Sequence, residues 1–221
     1  MKKASVLGAL FLSAMLFGQA PENGLLFHSS FNKFSTNPDY SANPKTEVTG
    51  IPPELQMRMY QGPGEKDNAV LLNNKEFIGY TTLDNFNPKH GTVSLWIKPL
   101  NWKMSDNKYF QTFFEIRTGD GKYRFILNKD GTGDRLMAQI NANGRSHFLE
   151  YKTLWQSGEW HKVDFTWNSS GMKLYVDGRP PIPGSRQELT FKEDPGFPET
   201  IRWSPMWLNN PHGWRVNPEW S

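Results

Sequence analysis

The chain contains no cysteine. That removes a disulfide framework, a thiolate metal site and a lipid-bearing cysteine near the N-terminus. Its histidines, at positions 28, 90, 147, 161 and 212, are scattered, with no H-x-H and no H-E-x-x-H. Zinc hydrolase chemistry therefore has no motif to rest on. Neither a glycine-rich phosphate loop nor a G-x-S-x-G elbow occurs, which withdraws support for nucleotide and ester chemistry. No block of Lys or Arg stands out, so nucleic acid is not an expected partner. The apolar spacing of helices is nearly absent. The one long apolar run, Val6 to Phe17, is about a dozen residues, short of the ~20 that a membrane-spanning helix needs.

What is present begins with that run. Lys2 and Lys3 precede it and Gly18-Gln19-Ala20 follows it, the pattern of a secretory signal peptide cleaved near Ala20. Residues 1–20 are thus expected to be a leader, and the mature chain to act outside the cytoplasm, extracellularly or in a periplasm. Without Lys2 and Lys3 the chain holds 23 basic and 22 acidic residues, close to neutrality. A mature chain of about 200 residues suits one β-sandwich, and neither a repeat nor an internal linker divides it.

Period-two runs recur instead of helical ones. In Gly91–Pro99 Val93, Leu95 and Ile97 share one face; Trp96 falls with the polar set, so that face is expected to be partly covered. Phe110–Arg117 and Tyr123–Asn128 flank a turn, as do Leu136–Asn141 and His147–Lys152 around Asn143-Gly144, a strong turn dipeptide. In the stretch EWHKVDFTWNSSGMKLYVDG, His161, Val163, Phe165 and Trp167 alternate with polar residues. Met172, Leu174 and Val176 do the same after an Asn-Ser-Ser-Gly turn. Asn168-Ser-Ser170 is a glycosylation sequon by letter and a hairpin turn by context. Many short strands with regular turn signals predict an all-β, two-sheet antiparallel β-sandwich of jelly-roll type.

Three motifs in order carry a family resemblance. G-E-W-H-K-V-D-F-T-W-N with M-K-L-Y-V-D-G, G-T-V-S-L-W-I-K-P, and L-L-F-H-S-S-F-N with P-D-Y-S resemble segments of bacterial laminin-G-like domains in the concanavalin A-like lectin/glucanase superfamily. The resemblance covers about Gly24 to Pro181 and implies a concanavalin A-like jelly roll over residues 21–221, with a Trp-rich C-terminal tail from about 182. It implies a secreted sugar- or protein-binding module, commonly joined to further domains. The family's usual closing strand, of the form IDE-(V/L)-R-(I/F)-Y, does not appear. Either Thr200–Trp203 or Gly213–Val216 takes its place or the closing strand is lacking, and the sequence favours the last.

The superfamily's glucanases carry E-x-D-x-x-E, whose acids share a strand face as retaining hydrolysis requires. This chain has no such pattern. Glu115 and Asp164 lack acidic partners two residues on, and Glu193-Asp194 are adjacent, so no enzymatic activity is expected. Members of the family often hold a calcium ion with loop oxygens, and Asp39, Asp130 and Asp134 are the candidates here, although Asp and Gly also serve turns. Nine tryptophans are the most suggestive feature. Trp203, Trp207 and Trp214, among Asn209, Asn210 and His212, form the candidate sugar-binding set, because flat rings cover sugar C–H faces and amides bond hydroxyls. Trp102 and Tyr109 are weaker candidates. The expected function is a secreted, non-catalytic module for carbohydrate or glycan-bearing surfaces. The alternatives are a structural or adhesive protein-interaction domain without a sugar site and an incomplete relative of a glycan-active enzyme.

Overall fold

The computed structural model describes residues 24–33, 35–50, 59–72, 76–106, 110–131, 133–202 and 204–209. The expected leader and the candidates Tyr109, Trp203, Asn210, His212 and Trp214 lie outside these residues, as does Gly213–Val216.

Fifteen strands and no helix make up the described chain. They are β1 (Phe27–His28), β2 (Tyr40–Ser41), β3 (Val48–Thr49), β4 (Met59–Gln61), β5 (Asn68–Val70), β6 (Ile78–Thr81), β7 (Gly91–Ile97), β8 (Gln111–Arg117), β9 (Tyr123–Lys129), β10 (Arg135–Ala142), β11 (Arg145–Lys152), β12 (His161–Asn168), β13 (Gly171–Val176), β14 (Glu188–Thr190) and β15 (Pro205–Leu208). Two sheets dominate: β11-β10-β9-β8-β15-β6-β3 and β14-β13-β12-β7, with β1-β2 and β4-β5 as separate pairs. Every ladder is antiparallel. The expected all-β sandwich is what the chain forms.

Turn chemistry sets the registers. Asn143 and Gly144 both take positive φ (49° and 76°), the geometry of the tight turn that matches strand twist. The β10–β11 ladder accordingly closes at Ala142↔Arg145. At the β12–β13 hairpin Asn168 Oδ1 accepts from the Ser170 and Gly171 N–H groups at 2.8 and 3.1 Å, so this side chain builds the turn. Gly171 is required there, because a Cβ would lie 2.2 Å from the Leu189 carbonyl oxygen of β14.

The core lies between the two main sheets. Val163, Phe165 and Trp167 of β12 and Met172, Leu174 and Val176 of β13 are buried on one side, facing Ile116, Phe125, Leu127, Leu136 and Ile140 on the other. Trp167 stacks on Phe86 at 5.1 Å and donates its indole N–H to the Pro88 carbonyl at 3.0 Å, so its polar edge is satisfied inside.

Two features differ from expectation. A C-terminal strand is present at Pro205–Leu208, beyond the Thr200–Trp203 segment. It enters between β6 and β8, with Met206↔Tyr80 and Leu208↔Phe114, and its Met206 joins the core. Trp96, whose aromatic side chain suggested partial cover of the outer face of β7, is 52% exposed among the described residues.

Phe165 is fully buried at the centre of the smaller sheet. Phe165→Ala is expected to lower unfolding free energy by about 3–5 kcal/mol, from lost transfer energy and the cavity left behind. Urea denaturation with an unchanged m-value checks it.

Candidate functional site

Because Val163, Phe165 and Trp167 point inward, Lys162, Asp164 and Thr166 must point out. Register then assembles the outer face in rows. Trp96 lies opposite Lys162, and Ser94 opposite Asp164, which in turn lies opposite Tyr175. Trp96 and Tyr175, 52% and 43% exposed, are thus two strand spacings and two residues apart, about 12 Å. Trp160 extends the face. The Lys98 ammonium sits over both its ring and that of Tyr60, at 5.7 and 5.2 Å, giving two cation–π contacts. Exposed aromatics gathered on one face are the kind of surface that marks an interaction site.

Beside Trp96 an open cleft of about 620 Å³ is lined by Trp96, Trp160, Lys162, Asp164, Asp177 and Arg179. Its rim is fixed by His161, whose ring stacks on Trp155 at 4.2 Å and 3°. His161 Nδ1 donates to Asp177 Oδ2 at 2.8 Å, while Asp177 Oδ1 accepts the Lys162 N–H at 2.8 Å. Asp177 can do both because it takes a positive φ of 53° at the end of β13. His161 thus has the structural place in the sheet that its alternating run implied. The cleft combines flat rings with hydrogen-bonding side chains of both charges, the equipment for a polyhydroxylated ligand.

Of the residues singled out in sequence, those that the structure describes fall elsewhere. Trp207 lies on β15 opposite Glu115, its ring stacked on Phe77 at 5.6 Å and its buried Nε1 without a hydrogen-bond partner among the described residues. Asn209 follows that strand; its amide donates to the Glu76 carbonyl at 2.7 Å and its carbonyl oxygen accepts from Gln111. Both ends of that amide serve to anchor the strand. Trp102 stacks on Phe113 at 6.1 Å. The aromatic face around Trp96 was the one sequence reading passed over, although the signal was there: a Trp out of step with Val93, Leu95 and Ile97.

The three metal candidates do not converge. Among the described residues no group of three or more His, Asp or Glu side chains is placed to hold a metal. Asp39 accepts the Ser30 N–H at 2.6 Å and lies 3.2 Å from Lys33 Nζ. Burial pulls its carboxyl upward, but the Ser30 and Lys33 hydrogen bonds outweigh this and hold it below the usual range. Asp134 lies 3.8 Å from Arg135 Nε. Near Asp130 the cation is part of the chain. Lys129 is fully buried, and its ammonium donates to the carbonyls of Asp106 and Asp130 at 2.9 Å and of Gly133 at 3.5 Å. Burial pushes its pKa down, opposed by the charges of Asp106 and Asp130. These carbonyl oxygens are the ligand type calcium takes, and an ammonium occupies them.

Two outcomes follow from this geometry. Lys129→Met, which strands the carbonyls, is expected to lower unfolding free energy by about 2–4 kcal/mol, while calcium or a chelator leaves the wild-type melting temperature unchanged; thermal melts of both proteins check this. Asp39, with its pKa below the ordinary 3.8, contributes stability that is complete above that value and disappears as pH falls through the folded pKa. Asp39→Asn is expected to flatten that part of the acid limb of a stability–pH curve.

A laminin G family model of the concanavalin A-like lectin/glucanases superfamily matches residues 66–210. No curated protein sequence matches the chain. Among solved structures it is similar to domain 4 of AbnA, an extracellular arabinanase of Geobacillus stearothermophilus solved with arabinotriose. That match has 18% identity and a TM-score of 0.50, covering 85% of this chain and 94% of that one. A Bacillus licheniformis beta-glucanase matches at 15% identity and a TM-score of 0.48, covering 85% and 86%. Domains LG4-5 of the mouse laminin alpha1 chain match at 15% and 0.45 over 58% of this chain, which spans only 30% of theirs. With more than half its length matched by the family model and its two sheets arranged as described, the chain belongs to the laminin G family of the concanavalin A-like lectin/glucanases superfamily.

Proposed function

We propose that this protein is a secreted, non-catalytic module that binds carbohydrate through the outer face of the four-stranded sheet. The observation that carries the proposal is Trp96, a large ring more than half exposed beside a polar cleft. Leaving an indole in water forgoes the stabilisation of burying it, so its placement fits a surface completed by a ligand. A sugar suits this surface better than a purely apolar partner, because Lys162, Asp164 and Arg179 line the same cleft. The family, and the arabinotriose in complex with a domain of similar fold, support a saccharide as the ligand class.

The carboxylates support binding over hydrolysis. Both oxygens of Asp177 are hydrogen-bonded, and Asp164 lies 3.7 Å from Lys162 Nζ. Glu159 lies 3.7 Å from His161 Nε2. Glu115, on the other sheet, is buried with Arg124 Nε 2.8 Å from its Oε1. A retaining glycosidase needs one carboxylate free to attack and a second free to protonate. Delivery outside the cytoplasm rests on the leader expected at residues 1–20; among the described residues no helix is long and apolar enough to cross a membrane.

Affinity electrophoresis through gels containing neutral and acidic polysaccharides tests the proposal. Retardation by at least one glycan is expected, weakened about tenfold in Trp96→Ala and less in Tyr175→Ala, with unchanged melting temperatures. No reducing sugar should be released. Absence of retardation by every glycan, or full retardation of Trp96→Ala, overturns it.

A further inference from the structure

The two main sheets touch along one side of the sandwich, where β11 and β14 are their edge strands. There Glu150 donates its N–H to the Arg186 carbonyl at 3.0 Å and accepts that of Arg186 at 2.6 Å. Toward the start of β11 the strands diverge and leave a groove of about 300 Å³. Arg145, His147, Phe148, Arg186, Lys192 and Glu193 are among its lining residues.

The charge in this groove is unbalanced. Glu193 is the one carboxylate among its lining residues, and it pairs with Arg145. The neighbouring Glu150 faces Arg135 at 2.8 Å. Arg186 and Lys192 have no acidic partner among the described residues. Arg186 is held instead with its guanidinium 5.4 Å from the ring centroid of Phe148, which is 40% exposed. Stacking of this kind fixes the direction of the fork while leaving its N–H donors unspent. The backbone adds to this. Glu150 bonds toward Arg186, and strand periodicity turns the N–H of Phe148, two residues earlier, to the same side. His147 brings a further polar atom, its Nε2 buried without a hydrogen-bond partner among the described residues and its ring 4.7 Å from Phe191.

A preorganised guanidinium, a second cation and a strand N–H beside an exposed ring are the parts of a site for a planar or tetrahedral oxyanion attached to an apolar-faced ring. We infer that this groove is an anion subsite which selects acidic saccharides, binding the carboxylate of a uronic acid or a sulfate ester between Arg186 and Lys192. The inference rests on the carbohydrate-binding reading above and names the ligand class within it. Two unpaired cations in so small a groove do not make a track for a polyanion backbone, which takes many phosphate contacts.

The test compares electrophoretic retardation by polygalacturonate (carboxylate), dextran sulfate (sulfate) and a neutral arabinan. Three proteins are needed: the wild type, Arg186→Gln/Lys192→Gln, and a control, Lys45→Gln/Lys66→Gln, that removes the same charge elsewhere on the surface. The wild type is expected to bind at least one acidic polymer more tightly than arabinan, and whichever polymer does so identifies the group read. The groove double variant loses this preference, by about tenfold or more for each charge-assisted bond removed, and keeps its neutral binding. The control keeps both. Equal retardation by acidic and neutral polymers overturns the inference, as does an equal loss in the control, which would make the effect one of net charge. Unchanged neutral binding in Trp96→Ala, the variant of the preceding test, with the acidic preference intact would instead count against the aromatic face alone. Circular dichroism melts of each variant confirm that folding is unchanged.

Discussion

One strand sets the terms for the rest. The register of β12 places Val163, Phe165 and Trp167 against the opposing sheet and thereby fixes what β7 and β13 present on either side. A shift of one residue would bury Lys162 and Asp164 and expose Phe165, so the hydrophobic effect specifies this register strongly. Everything proposed for the outer face depends on that choice. Trp96 is exposed because its neighbours Leu95 and Ile97 are drawn inward, and Tyr175 is exposed because Leu174 and Val176 are. The core selects which aromatics are left for a partner.

The hairpins were legible in the sequence because local chemistry dictates them. Asn143-Gly144 and Asn168–Gly171 can turn the chain without help from distant residues. The last strand was harder to see. Pro205–Leu208 is four residues long and opens on a proline, and its strand character comes from inserting between β6 and β8. The family pattern left Thr200–Trp203, Gly213–Val216 or no closing strand at all, with the last favoured, whereas tertiary pairing decides where so short a run becomes a strand.

The candidate site shows the same division. Counting tryptophans drew attention to the chain's end, yet Asn209 uses its amide to hold Glu76 and Gln111. Parity carried more information than composition. Trp96 is the residue out of step in β7, and Lys129 shares a face of β9 with Phe125 and Leu127, so each announced an unusual environment. What parity cannot give is the environment's chemistry. That Lys129 meets three carbonyls, and that Arg186 lies over Phe148, follows from how separate loops and strands come together.

The Glu150–Arg186 bridge has a mechanical consequence. Joined there by backbone bonds, the two sheets resemble covers bound along a spine, with β7 and β3 at opposite free margins. Relative motion of the covers is then largest far from the spine and smallest beside it. Any opening of the covers would therefore be resisted first at this spine, by the two backbone bonds between Glu150 and Arg186.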